Sequence, residues 1–140
     1  MIMVLFGPPG CGKGTQAGII AKDIEMPHLS TGDMLRDAVK SKTETGLKAA
    51  SIMEEGKLVS DEIVINIIKD RICNSDCKNG FILDGFPRTV SQAKELDVML
   101  TTENMKVDLV VDFSVNDEAL ISRIEGRFSC GDCGEGYNDH

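Results

Sequence analysis

The sequence has no tryptophan, and aromatic residues make up only 4% of its 140 positions. Proteins that hold single-stranded nucleic acid by stacking bases on aromatic rings need more than that. Positive charge is also scarce: 15 Lys and Arg against 23 Asp and Glu give a formal net charge of −8. This excludes the basic footprint of a general nucleic-acid binder, so any anion site must be assembled locally from a few placed cations and backbone N–H groups. No apolar run is long enough to span a bilayer. The opening stretch Met1 to Phe6 has no basic residue ahead of it and runs directly into glycines, unlike a secretory leader. Five cysteines form no even framework, which points to reduced thiols or metal ligands rather than disulfides. Internal repeats, low-complexity tracts and heptads are absent too. The expectation is a cytoplasmic chain, monomeric, without nucleic-acid or membrane partners.

What is present is ordinary globular material, 41% hydrophobic and 27% charged, enough for a buried core. Ile2 to Phe6 is a continuous apolar run ending at glycine, the pattern of a buried parallel strand. Residues 13–23 continue as a helix, with Ala17, Ile20 and Ala21 at helical spacing. Asp33 is expected to cap a helix through about Val39. Thr43 to Glu55 reads as a helix with Leu47, Ala50 and Met53 on its apolar side and Gly56 as its stop. Ser60-Asp61 opens another, with Ile63, Val64, Ile67, Ile68 and Ile72 as a wide apolar face. Phe81-Ile82-Leu83 is a second buried strand, Val90 to Leu100 a helix, and Asp108 to Phe113 a third strand. Asn116 caps a last helix to about Glu125. The alternation predicts an α/β fold with a parallel sheet and helices on both faces. From Ser129 to His140 neither periodicity is visible.

Gly7-Pro8-Pro9-Gly10-Cys11-Gly12-Lys13-Gly14-Thr15 stands between the first strand and the first helix. Glycines let backbone N–H groups close around phosphate oxygens, and the helix N-terminus adds partial positive charge. Gly10, Cys11, Gly12, Lys13, Gly14 and Thr15 are the candidate phosphate cradle. Lys13 reaches the β- and γ-phosphates, and the Thr15 hydroxyl lies near where Mg²⁺ would bind. The general pattern has Ser or Thr directly after the lysine; here Gly14 occupies that place and Thr15 follows.

Three further segments stand in order: Leu29-Ser30-Thr31-Gly32-Asp33-Met34-Leu35-Arg36, Gly56-Lys57-Leu58-Val59, and Phe81-Ile82-Leu83-Asp84-Gly85-Phe86-Pro87-Arg88 with Gln92 after it. With the loop, they resemble the adenylate kinases, nucleoside monophosphate kinases of P-loop NTPase-like fold, over essentially the whole chain. The resemblance implies a core with the P-loop at 1–29, a helical monophosphate-binding insertion at 30–59, more core at 60–126 and the start of a lid at 127–140. It implies reversible Mg²⁺-dependent transfer between ATP and AMP, giving two ADP, within nucleotide homeostasis. Arg36 and Arg88, planar bidentate donors suited to phosphate, would hold the AMP phosphate, with Arg88 near the transferring group. Asp84 would act on Mg²⁺ through its waters. Thr31 and Gln92 would stand near the adenine, with the Lys57, Leu58 and Val59 segment lining it; Gly85, Phe86 and Pro87 complete the AMP-binding set. Each residue has a plainer reading: Arg36 as a solvated helix side chain, Asp84 as the start of an Asp-Gly turn. A UMP or CMP kinase is the alternative within enzymes, and a non-catalytic nucleotide-binding fragment the alternative outside them.

Arg123 and Arg127 resemble the arginines that face ATP where the family's lid begins, and Gly136 and Tyr137 fall where members contact ATP inside it. Ordinary cation placement near a helix C-terminus competes with that role for the arginines. Cys130-Gly131-Asp132-Cys133 is one C-x-x-C knuckle, half of a tetrahedral Zn²⁺ site; zinc-bearing relatives carry their second pair further along. Two reduced thiols without metal is the equal alternative. Cys73 and Cys77 read as packing or incidental thiols. On the resemblance the sequence is expected to stop inside the lid, before two further arginines and a fifth strand.

Overall fold

A computed structural model describes residues 1–54, 59–131 and 136–139. Its centre is a four-stranded sheet, all parallel, built from β1 (Ile2–Phe6), β2 (His28–Ser30), β3 (Phe81–Asp84) and β4 (Leu109–Asp112) in the order β2-β3-β1-β4. Leu5 is in register with Asp84, and Ser30 lies opposite Asp84 on the other side.

Alternation along the inner strands sends side chains to two cores. Ile2 and Val4 of β1 and Phe81 and Leu83 of β3 join Leu29, Ile68, Ile72, Leu96, Met99 and Leu100 on one face. The helices supplying that cover are α4 (Asp61–Ile72) and α5 (Val90–Thr102). Met3, Leu5 and Ile82 point the other way, onto Ala17 with Ile20 and Ala21 of α1 (Lys13–Asp23). The expected fold class, a parallel sheet with helices on both faces, is the one observed. Burial on both sides is why Ile2–Phe6 and Phe81–Leu83 are apolar throughout.

Between β2 and α4 lie α2 (Thr31–Lys40) and α3 (Glu44–Glu54). Two expectations need correction here. The cap of α2 is Ser30, whose side chain accepts from the Asp33 N–H, so Asp33 sits inside the first turn rather than before it. Among the described positions of α3, Gly46 and Ala49 are buried and Ala50 is half-buried, while Leu47 is 56% exposed; the Met53 side chain and Gly56 lie outside the described residues. The reason is close approach: a Cβ on Gly46 would lie 1.9 Å from the Ala38 carbonyl oxygen, so the helices meet through their smallest residues.

β2, only three residues long, carries no period that sequence reasoning could detect. The stretch after α6 (Asp117–Glu125) is also corrected: β5 (Arg127–Ser129) and β6 (Gly136–Asn138) pair antiparallel, with Phe128 and Tyr137 stacked at 5.7 Å between ring centroids. Such a pair stabilises strands too short to show alternation. Cys77 is a buried core thiol, pushed up to about 11 mainly by burial, while Cys73 is exposed. No helix is long and apolar enough to cross a membrane among the described residues.

Leu83 is fully buried at the centre of the sheet. Leu83→Ala is expected to lower unfolding free energy by roughly 2–5 kcal/mol, measured as a reduced denaturant midpoint at unchanged slope.

Candidate active site

The chain leaves β1 toward α1 on one face and leaves β3 toward α5 on the other, although β1 and β3 are neighbours. Such a reversal marks the place where open α/β sheets bind ligands, in the crevice outside the carboxyl ends of the strands. Of the residues expected to carry chemistry, Lys13, Thr31, Asp84, Gly85 and Arg88 lie around these strand ends.

On the β1 side, the loop 7–12 turns into α1 through Gly12, whose φ of 92° supplies the left-handed cap that a β-carbon would strain. The first turn of α1 carries no acidic side chain. Lys13 arches back over the loop, its Nζ donating to the carbonyls of Gly7 at 2.7 Å and Pro8 at 3.0 Å. Cys11 is buried, with its Sγ 3.7 Å from that Nζ; Thr15 is exposed. A β-carbon on Gly14 would stand 3.5 Å from Asp84 Oδ2, so the carboxylate ending β3 lies against the first turn of α1. The absence of a side chain after the lysine brings the acid close to helix backbone. Asp84 Oδ2 also lies 3.4 Å from His28 Nε2 on β2, a neighbour the sequence reading did not single out.

On the β3 side, Gly85 follows with φ of 81°; a Cβ there would lie 2.8 Å from Thr31 Oγ1 and 2.9 Å from an Arg88 guanidinium nitrogen. Thr31, 5% exposed, donates to the carbonyls of Asp84 and Gly85. Arg88 Nε donates to the Gly85 carbonyl at 2.7 Å. The Arg36 guanidinium folds over Gly32 and pairs with Asp33. Both arginines therefore border one short surface made by the start of α2 and the end of β3. Phe86 and Pro87 are buried and joined by a cis peptide bond. Gln92 is buried as well: its Oε1 accepts from the Arg88 N–H at 2.7 Å and its Nε2 donates to Asp61 Oδ1 at 2.6 Å. Sequence reasoning places Asp61 only at a helix start and does not single out Thr89, although Thr89-x-x-Gln92 has the spacing of a capping box. Val59 is half-buried; Lys57 and Leu58 lie outside the described residues.

α6 packs against the loop, with Ile124 Cγ1 3.0 Å from where a Cβ on Gly10 would stand. Arg123 is carried on this helix. Arg127 and Gly136 contribute strand backbone, and Tyr137 is paired with Phe128. Cys133 lies outside the described residues, and among those described no group of three His, Cys, Asp or Glu is placed to hold a metal ion. Two cysteines are half of what a structural zinc site requires, so no step is assigned to zinc.

The adenylate kinase family profile matches residues 5–139. Among curated proteins, the chain is 56% identical over 139 residues to the adenylate kinase of Magnetococcus marinus, covering 99% of this chain and 65% of that protein. It is 53% identical to that of Allorhizobium ampelinum and 51% identical to that of Caldicellulosiruptor bescii, covering 99% of this chain and 64% of each relative. The chain thus spans a little under two thirds of the length of these relatives.

Partial burial raises the Asp33 carboxyl, but hydrogen bonds from Arg36 and Ser30 and the Arg36 charge outweigh it and hold the group below its ordinary 3.8. A depressed carboxyl contributes stability above its unfolded pKa and loses it as pH falls through the folded value. The pair's contribution is therefore expected to be present at neutral pH and to disappear below about pH 4. An NMR titration should place the Asp33 midpoint under 3.8, and Arg36→Ala should move it upward.

Proposed function

The chain belongs to the adenylate kinase family, and on that premise we propose that the whole protein catalyses reversible transfer of the γ-phosphoryl group of MgATP to AMP, giving two ADP. The observation that carries this reading is the crevice with two differently built walls. One is a glycine loop under Lys13. The other is a surface bordered by Arg36 and Arg88, and Asp84 lies between them.

The proposed roles follow from what phosphoryl transfer requires. Little covalent work falls to the protein; it has to align the two nucleotides and stabilise charge spread over the moving group. Loop residues 10–15 receive the ATP phosphates on backbone N–H groups at the start of α1. Lys13 exchanges its carbonyl partners for β- and γ-oxygens. Arg88 and Arg36 take the AMP phosphate, each giving up a partner from its own chain. Mg²⁺ enters with ATP as part of the substrate and neutralises phosphate charge; Asp84 is assigned to orienting its hydration shell. Arg123 on α6 and Arg127 beyond it are assigned to the ATP side, supported by the packing of α6 against Gly10. Thr31, Gln92 and the 57–59 segment are assigned to the adenine, and Tyr137 with Gly136 to the lid contact. Residues 30–59 form the monophosphate-binding part and residues from 127 the start of the lid.

A coupled assay of ADP formation on the whole protein tests this. AMP-dependent turnover is expected, and Lys13→Ala and Arg88→Ala should each reduce kcat by roughly 10²- to 10³-fold. Arg88→Lys should recover little, because a point charge does not replace a planar fork. Turnover with UMP or CMP but not AMP would transfer the assignment to a pyrimidine monophosphate kinase. No turnover with any monophosphate would overturn it.

A further inference from the structure

We propose that Asp61 is a positioning residue for Arg88, acting through Gln92 and Thr89, at the point where the helical pair α2–α3 returns to the core. This rests on the reading of Arg88 as a phosphate-binding residue and adds a group that acts without touching substrate.

The hydrogen-bond pattern is specific. Asp61 is the first residue of α4, and both of its carboxylate oxygens are used. Oδ1 accepts from Gln92 Nε2 at 2.6 Å and Oδ2 accepts from the Thr89 hydroxyl at 3.0 Å. Thr89 caps α5, accepting the Gln92 N–H at 3.1 Å. In a standard capping box the third helical residue reaches back to the cap's own N–H. Here Gln92 reaches one residue further, and its Oε1 accepts from the Arg88 N–H.

An amide side chain has a donor end and an acceptor end, and reversing them would set an NH₂ against the Arg88 N–H. The carboxylate of Asp61 takes only donors, so it fixes which end faces Arg88. Because Gln92 is 5% exposed, little water is at hand to replace a lost partner. The Arg88 backbone is thereby held while its side chain is held separately by the Gly85 carbonyl. α2 and α3 both pack on α4, so a displacement of that helical pair has a short path through Asp61 to the arginine.

The test compares wild-type whole protein with Asp61→Ala, Asp61→Asn, Gln92→Ala and the Asp61→Ala/Gln92→Ala double variant. Asp61→Ala is expected to raise KM for AMP and lower kcat, about tenfold in combination, with KM for ATP within about twofold. Asp61→Asn, which keeps one acceptor for the Gln92 amide but can also present its NH₂, should recover only part of that loss. The double variant should be no worse than Gln92→Ala by more than about twofold, as expected for groups acting in series. Amide NMR supplies a readout independent of turnover: Asp61→Ala should shift the Arg88 backbone N–H and the Gln92 side-chain NH₂ and weaken AMP binding by titration. Unmoved Arg88 and Gln92 signals with unchanged AMP affinity would overturn the proposal. So would equal losses for ATP and AMP that track a fall in Tm. A wild type without turnover would defeat the kinase reading alone; the NMR signals and AMP affinity would still decide the role of Asp61.

Discussion

Burial of β1 and β3 on both faces is the constraint from which the remaining arrangement follows. A strand covered on two sides has no solvent-facing position, so neither Ile2–Phe6 nor Phe81–Leu83 places an ionisable group between the helical layers. Polar chemistry is displaced to the strand ends. Asp84 is the first charged residue after the apolar part of β3, and it emerges where the connections from β1 and β3 part toward opposite faces. The same parallel order brings Ser30 of β2 alongside Asp84, which places Thr31 and the start of α2 against Gly85. Segments distant in sequence thus meet at one end of the sheet without any long loop having to position them.

Under the proposed function, a chain with a net charge of −8 must present three cations, Lys13, Arg36 and Arg88, to phosphate without leaving them poorly organised. It does so by occupying each one with a local partner. Lys13 is held by two loop carbonyls, Arg88 by the Gly85 carbonyl and Arg36 by Asp33. The Arg36–Asp33 pair is well exposed, and exposed ion pairs contribute little to stability, about 0–1 kcal/mol. Exchanging such a carboxylate for a phosphate costs little in folding energy. These interactions keep the three long, flexible side chains near their assigned places, and the exposed Arg36–Asp33 pair is weak enough to give way. That limits the ordering entropy a ligand must overcome.

Much of this was legible in the sequence because the signals are local. The β1 run, the glycine loop and the apolar face of α4 each lie within a dozen residues, and the structure has the corresponding strand, turn and helix. Asn116 does cap α6, accepting from Glu118 N–H. Where the reading failed, the cause was length or tertiary contact. β2, β5 and β6 have three residues each, too few for an alternation to show. The apolar side of α3 was assigned from hydrophobicity, which favours Leu47, whereas the helix contact is set by backbone approach at Gly46. The cap of α2 lies three residues before the expected Asp33 because Ser30 and Asp33 are both good cap residues, and only geometry distinguishes them. In the crevice, residue types announced Lys13, Asp84, Arg36 and Arg88. His28 and Asp61 were not announced, since their partners lie 56 residues away in one case and 28 and 31 in the other.

Thr31 and Gln92 carry a further implication for selectivity in the proposed reaction. Both are 5% exposed, and both already donate or accept within their own chain. A hydroxyl or amide free in solvent adjusts to whichever base edge approaches it, and so discriminates poorly. A buried amide whose orientation is fixed by a carboxylate on one side and an N–H on the other has its remaining donor and acceptor directions set in advance. A base edge that matches those directions completes the set, while one that does not leaves a polar group unpaired where water is excluded, at a cost of about 1–3 kcal/mol. Discrimination built this way depends on mismatch more than on added attraction. It requires the amide to be unable to rotate, and the groups that prevent rotation are then as much a part of specificity as the groups that touch the base.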